Sequence, residues 1–274
     1  MAERVASLWI GNRLTILEKL CLKSFYDIGQ TPILYCYHPI ENLPPYVEVR
    51  DARDVLPLDA NGRIYVDPVN QSPAVHADLF RLHLLAKTDE IWVDCDAYAL
   101  KPFQSLQGYL MAGRRDGQRR VPNGVLRLPR NSPALKAWME MVSSTPCIPP
   151  WWDQRTHRMY RRLYGKKVTF STLPLGTIGP ISAYHFLLES GEIERVLPER
   201  ELYALPFSSR REWTNEDTGQ LDEFDWKSKT SIHFFSSVMR PRLARSRGRV
   251  LASSFFGGLL NQHGLADDPD VTLV

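Results

Sequence analysis

The chain has 274 residues, 43% hydrophobic and 24% charged, with a net charge of +3: ordinary for a globular protein and long enough for one large domain or two small ones. That near-neutral balance sets up no field of the kind that gathers nucleic acid, and four scattered cysteines (Cys21, Cys36, Cys95, Cys147) without a C-x-x-C pair exclude the usual zinc patterns and a dense disulfide framework. A reducing compartment follows from the cysteines, and with no apolar leader and no run of about 18 apolar residues we expect a cytoplasmic protein, peripheral at most to the inner membrane face.

Ala6-Ser7-Leu8-Trp9-Ile10 reads as a buried strand closed by Gly11, and apolar residues at Leu14, Leu17, Leu20, Cys21 and Phe25 set a helical period to Ile28. Gly29 suits a helix stop. Strands follow at Thr31 to Tyr37 and Val47 to Val49, and this β-α-β-loop-β order argues for a parallel sheet covered by helices. Residues 57–71 read as irregular. Ser72-Pro73 opens a helix, with Ser as N-cap, that runs to about Ala86. Strands are expected at Ile91, Tyr109 to Ala112, Val125 to Leu128 and Ser231 to Phe235. Helices are expected at Ser132 to Val142, Trp151 to Tyr164, Ile181 to Glu189 and, after a basic tail from Arg240, Val250 to Leu260. With no repeat, low-complexity segment or linker, the chain reads as one domain, with a nucleotide half over about 1–130 and an acceptor-facing half over about 131–274.

The most informative stretch is Ile91-Trp92-Val93-Asp94-Cys95-Asp96. Three apolar residues suit a strand buried on both sides. If the strand continues, Asp94 and Asp96 share a face about 6–7 Å apart, a spacing that suits one hard divalent cation held directly or through water. A strand ending in a polar turn would give the same letters. Asp78 and Arg81 lie three apart on one face of the preceding helix, where a solvated pair would look identical.

Together, Ser72-Pro73-Ala74-Val75-His76-Ala77-Asp78-Leu79-Phe80-Arg81 and the Asp94-Cys95-Asp96 strand end resemble the DXD-containing glycosyltransferases that include fungal initiating mannosyltransferases and bacterial lipooligosaccharide galactosyltransferases. Leu100-Lys101-Pro102-Phe103 resembles the family's short extension, Ser7-Leu8-Trp9-Ile10-Gly11 its opening strand, and Asn123-Gly124 with Pro133 and Leu135 the segment after the D-x-D. Thr177-Ile178-Gly179-Pro180 is similar to its T-G-P turn, and Ser231-Ile232-His233-Phe234 with Ser236-Ser237 to its closing strand. The similarity runs in order over about residues 5–240. Departures are Ala77 for the usual Ser, Asp89-Glu90 for Gly-Gly and Leu82 for Tyr.

The resemblance implies an α/β, single GT-A-like, Rossmann-related domain with a mostly parallel sheet. It implies transfer of a hexose from a nucleotide-diphosphate sugar such as a UDP-sugar to a glycan or lipid-linked glycan, with Mn²⁺ or Mg²⁺ and with retention, in surface polysaccharide synthesis. Asp96 would contact the metal, and Asp94 the ribose or a metal-bound water. Asp78 would accept from sugar hydroxyls, and Arg81 would donate to sugar or diphosphate. His233 would ligate the metal or donate to the diphosphate, with Ser236 or Ser237 closing the site. Trp9, Asn123 and Gly179 complete the substrate-binding set. An inverting enzyme would instead need a base, for which Asp153, Asp217, Asp222 and Glu223 are available. Trp151-Trp152 beside the basic stretch Arg155 to Lys167, and the Arg240 to Arg249 segment, suggest contact with anionic lipid or a lipid-diphosphate acceptor. Two other readings stand beside this one: a glycoside hydrolase using paired carboxylates, and a sugar- or nucleotide-binding protein without turnover.

Overall fold

A computed structural model describes residues 3–67, 71–113, 119–216 and 219–274. Its strands are β1 (Val5–Trp9), β2 (Pro32–Cys36), β3 (Glu48–Asp51), β4 (Ile91–Val93), β5 (Ala97–Ala99), β6 (Ala112–Gly113), β7 (Val125–Leu126), β8 (Leu197–Pro198), β9 (Ser231–His233), β10 (Arg249–Val250) and β11 (Thr272–Leu273). Its helices are α1 (Ile16–Asp27), α2 (Ala74–Lys87), α3 (Pro133–Ser143), α4 (Gln154–Tyr164), α5 (Ser182–Glu189), α6 (Ser236–Arg245) and α7 (Phe255–Gln262). The fold is mixed α/β. A mostly parallel central sheet has the order β3-β2-β1-β4-β7, with β1 and β2 parallel from Val5 opposite Pro32 to Trp9 opposite Cys36.

Two compact units interleave along the chain, so a cut near residue 130 does not separate them. The first takes Met1–Arg50, Val93–Gln104 and Pro198–Val274; the second takes Asp51–Trp92 and Ser105–Leu197.

In the first unit, β1 and β2 are buried at every position, as their uninterrupted apolar runs require. Helix α1 opens with a capping box: Thr15 N–H donates to Glu18 Oε2 at 2.9 Å. It stops where Gly29 takes a positive φ of 81°. Its apolar face packs into a core with Tyr98, Trp213, Phe234, Met239 and Phe256. Strand β5 runs antiparallel to β9, with Ala97 opposite His233. A polar chain crosses this core. Tyr98 Oη lies 2.7 Å from His263 Nε2, and His263 Nδ1 lies 2.6 Å from Asp27 Oδ2, joining β5, α7 and α1. Lys19, 4% exposed, is held by Asp268 and Asp270 at 2.8 and 2.7 Å, which anchors the C-terminal residues to α1.

In the second unit, α3 stacks Trp138 on Phe186 of α5, ring centroids 6.4 Å apart, and Trp138 Nε1–H donates to the Ile178 carbonyl at 2.9 Å. Phe80 of α2 packs on Trp92. Asp89, one of the two acids standing where the resembled family has Gly-Gly, accepts from the buried Arg127 at 2.9 Å and also meets Arg130.

Most expected elements are present, several with shifted ends, as in the strand at Val125–Leu126 and the helix that starts at Gln154. Tyr109 to Ala112 is not a continuous strand: Leu110 bridges Arg127, and pairing resumes only at Ala112. The closing helix starts at Phe255, because Ser254 caps it by accepting from Gly257 N–H and Val250 belongs to β10. The cap residue of α2 is Pro73 rather than Ser72, although Ser72 Oγ accepts from Ala74 N–H at 3.2 Å. The basic stretch from Ser236 is a helix, α6, that periodicity missed because Pro241 interrupts it.

The Asp27 relay makes a testable case. Burial pushes its carboxyl up, but the His263 hydrogen bond and Lys23 outweigh that and hold it below the usual range. A lowered carboxylate stabilises the fold above its unfolded value of about 3.9 and loses that contribution as pH falls through its folded value. The melting-temperature gap between wild type and Asp27→Asn should therefore be full at neutral pH and close below about pH 4. A gap independent of pH between 7 and 3 would contradict this account.

Candidate functional site

In the first unit, Asp94, Asp96 and His233 each offer a ligand atom, and these atoms lie within 4.8 Å of one another. The geometry is not that of a continued strand. β4 ends at Val93, and Asp94-Cys95-Asp96 form a turn in which Ala97 N–H donates to Asp94 C=O at 2.9 Å. The carboxylates converge through this turn rather than by the two-residue pleat. Its position is set on one side by Ser7 Oγ–H donating to Val93 C=O at 2.6 Å and Cys95 Sγ reaching Leu8 C=O at 3.5 Å. On the other side, Phe234 N–H donates to Asp96 C=O at 2.9 Å.

Asp96 is 5% exposed, not at an open strand end as its sequence position suggested. A carboxylate so buried needs partners. Its Oδ2 accepts from Ser236 N–H at 2.5 Å, at the first residue of α6, where the helix dipole favours an anion. Its Oδ1 lies 3.5 Å from His233 Nε2. Burial pushes the Asp96 carboxyl up; its electrostatic interaction with His233, the Ser236 N–H and Arg240 overcome it and bring it below the usual range. Phe235, at φ 49°, makes the sharp bend that aims the start of α6 at Asp96.

Sequence reasoning missed the second layer of this site. Arg240 of α6 donates through Nε to Glu18 Oε1 at 2.8 Å, and its guanidinium sits 4.9 Å from the Trp9 ring centroid. Glu18 is fully buried. The Thr15-x-x-Glu18 capping box marks the start of α1, but nothing in the sequence shows that Glu18 also meets Arg240. Trp9 is therefore part of the site wall, packed under Arg240 with Gly11 behind it, where a Cβ would lie 3.2 Å from Trp9 Nε1. Ser236 contributes its backbone N–H, whereas Ser237 is exposed. Cys95 between the two acids and nearby Cys21 are buried, and burial pushes both thiols well up, so neither is a nucleophile.

The residues fit a divalent cation. One ligand atom from each of Asp94, Asp96 and His233 lies within 4.8 Å of the others, and His233 presents Nε2 to Asp96 Oδ1 at 3.5 Å. Two carboxylates and an imidazole form a mixed oxygen–nitrogen set, and the nitrogen moves preference away from Mg²⁺ and Ca²⁺ toward Mn²⁺ or a later divalent metal.

In the second unit, Asp78, Arg81, Asn123 and Gly179 come together. Asn123 Nδ2 donates to Asp78 Oδ1 at 2.9 Å, and Arg81 Nη1 lies 3.3 Å from the same oxygen. Arg81 is 5% exposed and stacks at 4.7 Å from the Trp92 ring centroid. This is not the solvated pair that i, i+3 spacing alone would allow. The segment Thr177–Ile181 passes so close that a Cβ on Gly179 would meet Asp78 Oδ2 at 2.7 Å. The glycine is required by that approach. Val121 N–H donates to Pro180 C=O and Ser182 Oγ–H to Thr177 C=O, which hold the segment in place.

A separate cleft of about 550 Å³ in this unit is lined by Arg119, Arg120, Trp151, Trp152, Ile181 and His185. Trp151 lies flat on His185, centroids 4.4 Å apart at 3°, and Trp152 packs on Tyr160. Of the expected bases, Asp153 is engaged as the α4 cap, accepting from Thr156 N–H at 2.6 Å, and Asp222 and Glu223 are exposed. Asp217 lies outside the described residues.

Gly179→Ala should cost about 1–3 kcal/mol of stability. Pairing it with Asp78→Ala should give less than the sum of the two single effects, since the clash partner is gone. Strict additivity in denaturant unfolding would contradict the contact. Mn²⁺ should raise the melting temperature of the wild type, by about 2.7 kcal/mol in stability at about 100 Kd. Asp94→Asn and His233→Gln should each abolish the shift; an unchanged shift in both would remove the cation site.

No protein-family model matches the chain, and no curated protein matches it. Among solved structures it is similar to one described as PaToxG glycosyltransferase, at 15% identity and a TM-score of 0.42 over 75% of this chain and 79% of that one. That likeness is too distant to assign a family or an activity.

Proposed function

We propose that the protein is a divalent-metal-dependent glycosyltransferase that moves a hexose from a nucleotide-diphosphate sugar, with UDP as the first candidate nucleotide, to a glycan or lipid-linked glycan in surface polysaccharide synthesis. The observation that carries the reading is the convergence of Asp94, Asp96 and His233, one ligand atom from each within 4.8 Å of the others, with His233 Nε2 facing Asp96 Oδ1. The ordered motifs over residues 5–240 support it. When bound, the cation supplies Lewis-acid neutralisation of the charge that grows on a diphosphate leaving group.

The chain's own residues take the remaining work. Asp94, Asp96 and His233 hold the cation, and the Ser236 N–H keeps Asp96 ionised for that purpose. Arg240 places a positive charge beside Trp9 where nucleotide or phosphate can be met. Asp78, fixed by Asn123 and Arg81, accepts hydrogen bonds from donor-sugar hydroxyls, and Arg81 donates to a sugar or phosphate oxygen. The Trp151, Trp152, Arg119 and Arg120 cleft is our candidate seat for the acceptor, with ring faces for sugar and guanidinium groups for phosphate. With Asp153 engaged in a cap, retention by front-face attack is the reading we favour. The acceptor hydroxyl oxygen bonds to the anomeric carbon, the bond to the diphosphate oxygen breaks, and that oxygen takes the hydroxyl proton.

A glycoside hydrolase would need one carboxyl raised to act as an acid at neutral pH. Of the paired carboxyls, Asp96 is held below the usual range and does not fit the acid role.

The test is release of nucleoside diphosphate from a panel of nucleotide sugars with Mn²⁺. We expect turnover with at least one donor, lost in chelator and in Asp94→Asn. Full activity in chelator, or release of sugar from glycans without nucleotide, would overturn the proposal.

A further inference from the structure

Helix α4 is unusual in having no buried residue at all, although its sequence is sharply two-sided. At 3.6 residues per turn, Arg155, Arg158, Arg161 and Arg162 fall on one arc, and Met159, Tyr160, Leu163 and Tyr164 on the opposite one. An apolar stripe of this kind normally faces a core. Here Met159 is 48% exposed, Leu163 65% and Tyr164 40%. The helix is nevertheless well specified. Asp153 caps its start, Arg161 and Arg162 oppose the dipole at its end, and Gly165 stops it at φ 58°. Trp152, Tyr160 and Tyr164 form a ring ladder along it, centroids 4.4 and 5.6 Å apart. The two tryptophans, expected from sequence to reach the membrane themselves, instead seat the helix: both are half-buried, Trp151 on His185 and Trp152 on Tyr160.

Charge decides what can cover the open face. From residue 154 to 167 there are six Lys and Arg residues, the last two being Lys166 and Lys167, and no acid. Arg119 and Arg120 add positive charge at the adjoining cleft. A short helix with a strong apolar stripe, a cationic opposite face and few apolar residues outside the stripe is the pattern that lies in the plane of a bilayer surface. A second copy of the chain would bring the same cations and repel them. No helix among the described residues is long and apolar enough to cross a membrane, so attachment of this sort would be peripheral.

We propose that α4 docks the protein on an anionic phospholipid bilayer, with Met159 and Leu163 set into the acyl boundary and the arginines among the headgroup phosphates. This stands apart from the sugar-transfer reading and survives its failure. The experiment is co-sedimentation of the full chain with vesicles of phosphatidylglycerol and phosphatidylethanolamine, and separately of phosphatidylcholine alone, at low and high salt. Wild type should pellet with the anionic vesicles, bind phosphatidylcholine far less, and release as salt rises. Met159→Glu with Leu163→Glu should abolish binding, and each arginine replaced by Gln should weaken it about fivefold. Because these side chains are exposed, circular dichroism and melting temperature should be unchanged. No pelleting with anionic vesicles, equal pelleting with both lipids, or full binding by the Glu variant would overturn the proposal. So would self-association of the free protein that the Glu variant abolishes, which would assign the face to a second copy.

Discussion

One buried carboxylate organises the candidate centre. Asp96 is almost fully withdrawn from water, and an isolated anion there would protonate or unfold the region. Its ionisation depends on the first N–H of α6, on the imidazole at the end of β9 and on Arg240 farther along α6. Those partners exist only when β5 and β9 pair and Phe235 makes its left-handed bend. Arg240 is in turn tied to Glu18, which caps α1. A chain of charge compensation thus runs from the first helix to the last third of the sequence, and a cation at the triad would complete it between Asp94, Asp96 and His233.

Much of this was legible in the amino acids. The apolar runs of β1, β2 and β4 announce strands buried on both faces, and Gly29 marks the end of α1 because only glycine takes its backbone angle cheaply. Asp78 and Arg81 on one helical face, with Asn123 and Gly179 downstream, were singled out by pattern, and all four meet in the second unit. The reason Gly179 must be glycine was not readable, because it is the approach of Asp78 from another segment.

What sequence could not reach is chiefly what distant segments supply. A D-x-D after an apolar run looks the same whether the strand continues or turns; hydrogen bonds from Ala97 and Phe234 decide for the turn. Burial of Asp96 depends on α6, which a helical period did not reveal because Pro241 and three arginines obscure it. Trp151 and Trp152 read as exposed anchors, yet His185 and Tyr160, far from them or a few turns on, draw them in and leave α4 to present the apolar face.

The central claim is that Asp94, Asp96 and His233 together hold one divalent cation. Anomalous diffraction from a crystal soaked in Mn²⁺ tests it most directly. The account predicts a single strong peak within about 2.0–2.4 Å of an Asp96 oxygen and a His233 nitrogen. Density that leaves this corner empty while Mn²⁺ occupies other carboxylates would contradict it.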